Sequence, residues 1–276
     1  MFFIGGIDHT IEREGLDRTS ITLPDAQLTL IQELEKVSRS PLNIVIMSGG
    51  GLDLTYIRDS PKCGSLIWMG YPGQSGGLAL ATVVFGQYNP AGRLPVTLYP
   101  ASYVDAVSMF DMQMRPSPTN PGRTYKFYTG QPVYEFGYGL SYTTFNYTWN
   151  NETVSTSYSI QSLMKTAAKN DRQVISSIRV NVTNTGQMDG DDVVLAFVTP
   201  PSQGDDVAPF KELFGFQRIH LAINETKEVF FPLTIKAALS VAWDGTKWLH
   251  PGSYHIIIGQ KRISSVELKG PSIPWN

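Results

Sequence analysis

The spacing of apolar residues changes about halfway along the 276-residue chain, and this change constrains the fold more than any other feature. In the first 100 residues, unbroken apolar runs such as Leu42–Met47 alternate with helical patterns such as residues 24–38, where apolar residues recur every three to four positions. Unbroken runs between helices are typical of a parallel sheet covered on both faces. Beyond residue 140, apolar and polar residues alternate, and about seven short strands separated by turn signals indicate a β-sandwich of immunoglobulin or fibronectin III type.

The predicted fold class is therefore α/β plus β, with a mostly parallel sheet first and a β-sandwich second. We expect the α/β domain in residues 1–100, an irregular connecting segment in residues 101–140, with three prolines between residues 114 and 123, and the β-sandwich in residues 141–276. Strands are also expected at residues 65–69, 94–99 and 239–243. Three or four strands are few for a sheet covered on both faces, so the first domain is expected to be incomplete.

Composition excludes several classes of protein. Lys and Arg (22) nearly balance Asp and Glu (24), and no basic stripe suggests a nucleic-acid partner. The single cysteine, Cys63, rules out an intrachain disulfide, and no apolar run is long enough to cross a membrane. The four histidines lack metal-ligand spacing, and Gly49-Gly50-Gly51 is not followed by the Gly-Lys-Ser/Thr of a phosphate loop. We therefore predict no metal, no cofactor, no nucleic-acid partner and no membrane span.

Two glutamates could supply acid–base chemistry. In an extended segment Glu12 and Glu14 would face the same side, whereas in a loop Gly15 would place Glu14 at a tip. Glycoside hydrolysis needs a carboxyl that protonates the leaving oxygen and a second carboxyl as nucleophile or base. Two glutamates near arginines are more often a solvated ion-pair cluster, so both interpretations stay open on the residues alone.

Residues 73–77 match the G-x-S-x-G pattern of a serine esterase, with Ser75 as the nucleophile and Ser48 before a glycine-rich loop. The predicted strand ends several residues before Ser75, with Pro72 between, and the later histidines lie in the β half. A glycine-rich loop that packs a helix on the sheet is therefore the favoured interpretation.

Four N-glycosylation sequons lie in the β half, at Asn146, Asn151, Asn181 and Asn224. Asn146 and Asn181 alternate with apolar neighbours, so their side chains should point away from the core, where a glycan must be. The four sequons favour a secreted glycoprotein.

Several segments together resemble glycoside hydrolase family 3. They are residues 5–18, 70–77, 89–96, 122–130 and 136–143 in the α/β half and the connecting segment, and residues 212–218 and 251–254 in the β half. The resemblance implies a partial α/β sandwich domain followed by the family's fibronectin III-like domain. Residues 128–136 look more like β-xylosidases than β-glucosidases.

The resemblance also implies a mechanism and a site. Family members retain the anomeric configuration, with an aspartate nucleophile on an N-terminal barrel and a glutamate acid/base on a loop of the α/β sandwich domain. The family's Glu-x-x-Asp-Arg pattern maps onto Glu14, Asp17 and Arg18, so Glu14 is the expected general acid/base and Glu12 the fallback. Sugar-binding residues are not identified by the resemblance.

The chain therefore looks like the C-terminal part of a secreted β-xylosidase that acts on xylo-oligosaccharides, with its signal peptide and nucleophile in a missing N-terminal part. On its own it is expected to be inactive. The alternatives are a β-glucosidase or an α-L-arabinofuranosidase of the same family, or a non-catalytic carbohydrate-binding module. Exposed Trp149, Trp243 and Trp248 would favour the binding module, although core packing is the favoured role for all three.

Overall fold

The computed structural model describes residues 1–149, 157–201, 208–259 and 261–275. The chain divides into two compact units. Unit 1 comprises Met1–Phe85 and Leu94–Tyr138, and unit 2 comprises Gly86–Arg93 and Gly139–Asn276.

Unit 1 is built on a three-stranded parallel sheet in the order β1-β2-β3. Its first elements are β1 (Phe2–Gly6), α1 (Asp25–Val37), β2 (Leu42–Met47), α2 (Thr55–Asp59), β3 (Cys63–Trp68) and α3 (Gly76–Val84). Ile44 and Ile46 of the central strand and Ile31 of α1 are fully buried in one apolar core. The predicted parallel sheet and its first helix are confirmed, because unbroken apolar runs and a helical period marked them correctly.

Residues 101–138 belong to unit 1, although the sequence suggested a separate connecting segment. They contain two short helices, α4 (Ser102–Ala106) and α5 (Thr124–Phe127). Aromatic rings hold the segment: Tyr99 stacks on Tyr103 with ring centroids 4.1 Å apart, and Tyr128 meets Tyr99 edge-on at 4.9 Å. Burial raises the pKa of the Tyr99 phenol to about 12, and its oxygen accepts a hydrogen bond from the Thr124 amide.

Over its described residues, unit 2 is a β-sandwich with two small helices. Its elements are β4 (Phe145–Trp149), β5 (Ser157–Ser159), α6 (Ile160–Ala167), β6 (Val174–Asn184), β7 (Gly190–Thr199), β8 (Glu212–Leu221), β9 (Thr226–Thr234), α7 (Ile235–Ala238), β10 (Ser240–Val241), β11 (Lys247–Leu249), β12 (Gly252–Ile258), β13 (Lys261–Lys269) and β14 (Ile273–Trp275). The strands form a sheet β5-β13-β12-β7-β8, a second sheet β4-β6-β9 and a small sheet β10-β11-β14. Alternate residues of β6, β7 and β12, such as Val180, Ala196 and Ile256, fill the core.

Residues 86–93 belong to unit 2, although the sequence placed them in the first domain. The buried Asn89 amide oxygen accepts hydrogen bonds from the Ser141 hydroxyl at 3.0 Å and the Tyr142 amide at 2.8 Å. Arg93 donates to the Asp192 carboxylate at 2.8 Å, and Asp192 is 1% exposed. Residues 86–93 are therefore held to unit 2 by hydrogen bonds of individual polar side chains. Such contacts leave no trace in the spacing of hydrophobic residues, so the sequence pattern could not predict them.

One predicted strand is absent from the described residues, and a second is shorter than predicted. Residues 94–99 form no strand among the described residues, because Pro95 lacks an amide donor and the segment meets residues 133–138 only through scattered hydrogen bonds and the Leu98–Tyr134 bridge. The strand expected at 239–243 contracts to Ser240–Val241, because a turn closed by the Ala242 amide and the Thr246 carbonyl follows at once.

Candidate active site

The loops that follow β1, β2 and β3 meet at the carboxyl edge of the unit 1 sheet, where parallel α/β sheets place their ligands. The end of β1 is held from two sides. Gln27 of α1 exchanges hydrogen bonds of 2.8 and 2.7 Å with the amide and carbonyl of Gly6. A Cβ on Gly6 would lie 1.9 Å from the Met47 carbonyl oxygen, so only glycine permits this approach to β2.

The loop after β1 begins with an Asx turn. One Asp8 carboxylate oxygen accepts hydrogen bonds from the Thr10 hydroxyl at 2.6 Å and the Thr10 amide at 2.8 Å. These bonds lower the pKa of Asp8 because they favour its charged form. The amides of Ile11 and Glu12 then bond the Asp8 carbonyl at 3.0 Å, so the chain coils once before it reaches the glutamates.

Glu14 lies at the tip of a tight turn. Arg13 and Leu16 exchange backbone hydrogen bonds of 3.0 and 2.9 Å, which leaves Glu14 and Gly15 as the two residues of the turn. Gly15 has φ +74°, the left-handed value that such a turn requires, and the space around its missing Cβ is open. Glu14 is exposed, and its carboxylate has no hydrogen bond or ion pair to any described residue. The loop interpretation, in which Gly15 presents Glu14 at a tip, therefore describes the geometry better than the extended one.

Glu12 and Arg18 form an ion pair beneath this turn. The Glu12 carboxylate lies 2.9 Å from Arg18 Nε, without the alignment of a hydrogen bond, and the Arg18 side chain is only 10% exposed. Arg18 Nη2 donates to the Gly51 carbonyl at 3.3 Å, which ties the loop after β1 to the loop after β2. A Cβ on Gly50 would lie 3.3 Å from Arg18 Nη2, so glycine leaves room for the guanidinium. Of the Glu-x-x-Asp-Arg residues, Arg18 anchors the loop, while Asp17 is exposed.

An open cleft of about 430 Å³ lies beside the Asx turn, lined by Asp8, His9, Thr10 and Tyr71. The His9 and Tyr71 rings meet edge-on with centroids 5.8 Å apart. Tyr71 lies against Gly49, where a Cβ would come within 2.8 Å of the ring. Sequence reasoning missed Asp8 and Tyr71 as candidate site residues. Their positions just beyond the ends of β1 and β3 were the signal available.

The esterase interpretation fails on geometry. The Ser48 hydroxyl is buried, donates to the Gly50 carbonyl at 2.7 Å and accepts from the Trp68 indole at 2.9 Å, so it shapes its loop. Ser75 directly precedes α3, while β3 ends at Trp68, so the serine does not stand on the strand-to-helix turn. Among the described residues, no base forms a hydrogen bond with the Ser75 hydroxyl.

Three of the four sequons lie in the described part of unit 2, and Asn151 lies outside it. Asn146 of β4 pairs with Thr183 of β6, and Asn181 of β6 pairs with Thr148 of β4, so each acceptor faces the threonine of the other sequon. Both asparagines point away from the core, as the alternation predicted. Asn224 is exposed in the turn between β8 and β9.

The three tryptophans do not form a common platform. Trp149 packs against the unit 2 core, as expected. Trp248 is half-buried and stacks on His250 with centroids 6.1 Å apart. Trp243 is exposed, so core packing is wrong for this residue.

Two global properties bear on function. In the described ranges, no helix could span a lipid bilayer; the longest, α1, has 13 residues. The same described residues contain no group of three or more His, Cys, Asp or Glu side chains placed to hold a metal ion.

Comparison with known proteins places the chain in a family. The model of the glycosyl hydrolase family 3 C-terminal domain matches residues 1–142, and that of the fibronectin type III-like domain matches residues 192–262. The chain is 40% identical to "Probable beta-D-xylosidase 6" of Arabidopsis thaliana over 288 residues, covering 96% of this chain and 36% of the relative. It is 38% identical to "Exo-1,4-beta-xylosidase xlnD" of Aspergillus awamori over 275 residues, covering 97% and 34%.

A solved structure supports the same assignment. A GH3 exo-beta-xylosidase, XlnD, in complex with a xylobiose aziridine activity-based probe superposes with a TM-score of 0.92 at 38% identity, covering 99% of this chain and 36% of that chain. The chain thus spans about a third of the length of the relatives it matches. From the α/β sheet through the fibronectin III-like sandwich, it belongs to glycosyl hydrolase family 3.

Proposed function

We propose that this chain forms the C-terminal part of an exo-acting β-D-xylosidase, in which Glu14 is the general acid/base. One observation carries the assignment to Glu14. Its carboxylate stands alone at the tip of a turn at the carboxyl edge of the sheet, whereas Glu12 is engaged by Arg18. The names of the relatives support xylosides as the substrates.

The geometry suits the two proton transfers of a retaining glycosidase. Glu14 donates a proton to the glycosidic oxygen as the xylosyl group passes to a carboxylate nucleophile, and then removes a proton from the water that releases xylose. The nucleophile belongs to the preceding part of the enzyme, as the family resemblance implies. Asp8, whose pKa is lowered by the hydrogen bonds from Thr10, can accept hydrogen bonds from sugar hydroxyls in the cleft, and Tyr71 offers a ring face.

A chimera tests the assignment. The part of the Aspergillus awamori xylosidase that precedes the matched region is joined to this chain, and turnover of xylobiose is compared with that of an activated aryl xyloside. Glu14→Ala should reduce xylobiose turnover roughly 10²–10⁴-fold, because a poor leaving group needs protonation. The activated substrate should lose less in the first step, and azide should partly restore the second step by replacing the activated water.

Glu12→Ala is the matched control, because it removes a carboxylate two residues away. It should cause a smaller loss without azide rescue, since it only loosens the support of the turn. The unfused 276-residue chain should show no retaining turnover, because one carboxyl cannot form and break the glycosyl intermediate. If Glu12→Ala abolished activity with azide rescue while Glu14→Ala did not, the acid/base would be Glu12.

We also propose that the protein is secreted and carries N-glycans at Asn146, Asn181 and Asn224. Their outward orientation on unit 2 supports this modification. Expression in a eukaryotic secretory host followed by peptide mass spectrometry tests it, with each asparagine replaced in turn by glutamine. Each replacement should remove one glycan. Unmodified asparagines at all three positions would contradict the proposal.

A further inference from the structure

Unit 1 carries a loop whose apolar side chains face solvent. Within four residues, Met109 is 76% exposed, Phe110 is 94% exposed and Met112 is 82% exposed. We call residues 108–114 the methionine loop. Clusters of exposed large apolar side chains mark interaction surfaces, whereas isolated ones are ordinary.

Hydrogen bonds from Asn120 and Arg123 hold the methionine loop in this conformation. Asn120, which is buried, donates from Nδ2 to the Asp111 carboxylate at 3.0 Å and to the Gln113 carbonyl at 3.2 Å. Arg123 donates to the backbone carbonyls of both Asp111 and Gln113. The Asp111 carboxylate also accepts the Gln113 amide at 2.8 Å. The Asp111 carboxylate and the backbone carbonyls of Asp111 and Gln113 are therefore bonded within unit 1, while the side chains of Met109, Phe110 and Met112 face solvent.

We propose that the methionine loop docks onto the polypeptide that precedes this chain in family 3 xylosidases. The chain accounts for 36% of the XlnD relative that it matches over 99% of its own length, so most of that relative's chain has no counterpart here. The identity of this partner rests on the proposed function. Because Asp111 is bonded within the loop and the Arg115 guanidinium lies 5.2 Å from the Phe127 ring centre, the loop presents thioethers and a ring rather than free charge. An apolar protein surface fits such side chains, since methionine adapts to irregular surfaces.

Methionine oxidation measures whether the loop is covered. The isolated chain and the chimera described above are treated with hydrogen peroxide, and peptide mass spectrometry follows each thioether. Oxidation of Met109 and Met112 should be at least about 10-fold slower in the chimera, because a covered thioether is less accessible. Met164, which packs against the core of unit 2, is the internal reference. Glu14→Ala should leave the oxidation pattern unchanged, so failure of the acid/base assignment stays distinguishable from failure of the docking proposal.

Three oxidation results would overturn the proposal. Equal rates in the two proteins would show that the loop stays uncovered. Protection of the isolated chain that grows with its own concentration would identify a second copy as the occupant. Protection of the isolated chain by xylobiose alone would identify a sugar-binding surface.

If the chimera cannot be expressed, copurification tests whether the methionine loop docks onto the preceding part. The tagged preceding part of the Aspergillus awamori enzyme is co-secreted with this chain, and copurification is measured. Combined Met109→Ser, Phe110→Ser and Met112→Ser should lower copurification by about 100-fold, as expected for loss of a central apolar contact. Phe216→Ser, which changes an exposed aromatic of unit 2, should not. Failure of the unaltered chain to copurify, or equal copurification of the triple variant, would overturn the proposal.

Discussion

The two units differ in how well their sheets are covered. Unit 2 encloses its core between sheets, and residues from β6, β7 and β12 are buried on the facing sides. Unit 1 has three strands, both outer strands lack a neighbour among the described residues, and Phe2, Ile4 and Leu78 are exposed. The unit with the candidate active site is thus the one with less of its apolar surface buried. Buried apolar area sets most of the stability of a domain, so the two units should differ in stability.

Amide hydrogen exchange should show the largest difference between the units. In the isolated chain, peptides from β2 should exchange at least about 100-fold faster than peptides from β12. This ratio corresponds to an opening free energy about 2.7 kcal/mol lower for β2 than for β12. Both strands are central in their sheets, so the comparison is between the units and not between edge and centre. Exchange of β2 as slow as that of β12 would show that unit 1 is stable without further cover.

A buried ion pair allows a more local test, confined to unit 2. Asp192 bonds Arg93 at 2.8 Å and accepts the Tyr147 hydroxyl at 2.5 Å. Burial and this carboxylate raise the pKa of Tyr147 above its usual value, so the phenol remains a donor. Asp192→Ala should destabilise unit 2 by about 3 kcal/mol, because it leaves a guanidinium and a phenol without their partner. Urea unfolding, followed by tryptophan fluorescence in a Trp68→Phe background, reports unit 2 without the one tryptophan of unit 1.

Glu228→Ala is the control for this measurement. It breaks the Arg179–Glu228 pair at 2.7 Å, whose side chains are both exposed, and should cost about 1 kcal/mol or less. Equal effects of the two substitutions would mean that residues 86–93 are not anchored to unit 2 through Asp192.

The helices and strands that were predicted correctly are those marked by a regular spacing of hydrophobic residues. Strand β2, helix α1 and the alternating strands of unit 2 were found this way, because burial on one face or both leaves a regular pattern. The membership of residues 86–93 in unit 2 was missed, because single polar contacts of Asn89 and Arg93 decide it. Strand β8 was quoted as part of a family motif but not predicted as a strand. Its run Glu212–Leu221 is only partly buried along most of its length, so apolar alternation is weak there.

In the candidate site, too, the local sequence predicted one feature and only the structure revealed another. Gly15 next to Glu14 indicated a turn tip, because glycine readily adopts the positive φ that a tight turn needs, and this preference can be read from the local sequence. The engagement of Glu12 by Arg18 depends on how the loop after β1 meets Gly50 and Gly51 of the loop after β2. No local pattern encodes this contact between loops that lie far apart in the sequence, so choosing between the two glutamates on geometry required the structure.

The smallest expected effect concerns a surface cluster on unit 2. Asp191 contacts Arg218 at 2.6 Å, His220 at 2.9 Å and Tyr88 at 3.2 Å. Burial opposes ionisation of Asp191, but the hydrogen bonds from His220 and Arg218 outweigh it and lower the pKa of the carboxyl. A carboxyl whose pKa is lower in the folded than in the unfolded state stabilises the fold above its unfolded value, near 3.9, and loses this contribution as the pH falls through the folded value.

Asp191→Asn should therefore lower the stability of unit 2 by about 1 kcal/mol or less at pH 6, since the cluster is partly exposed. The difference between the variant and the parent should shrink as the pH falls below about 3.9, because the parent carboxylate is then protonated as well. Urea unfolding at several pH values measures this difference, and repeating it in a His220→Gln background removes any contribution from the imidazole. A difference that stayed constant down to pH 2.5 would show that Asp191 acts through packing or neutral hydrogen bonds, and the electrostatic account of this cluster would fail.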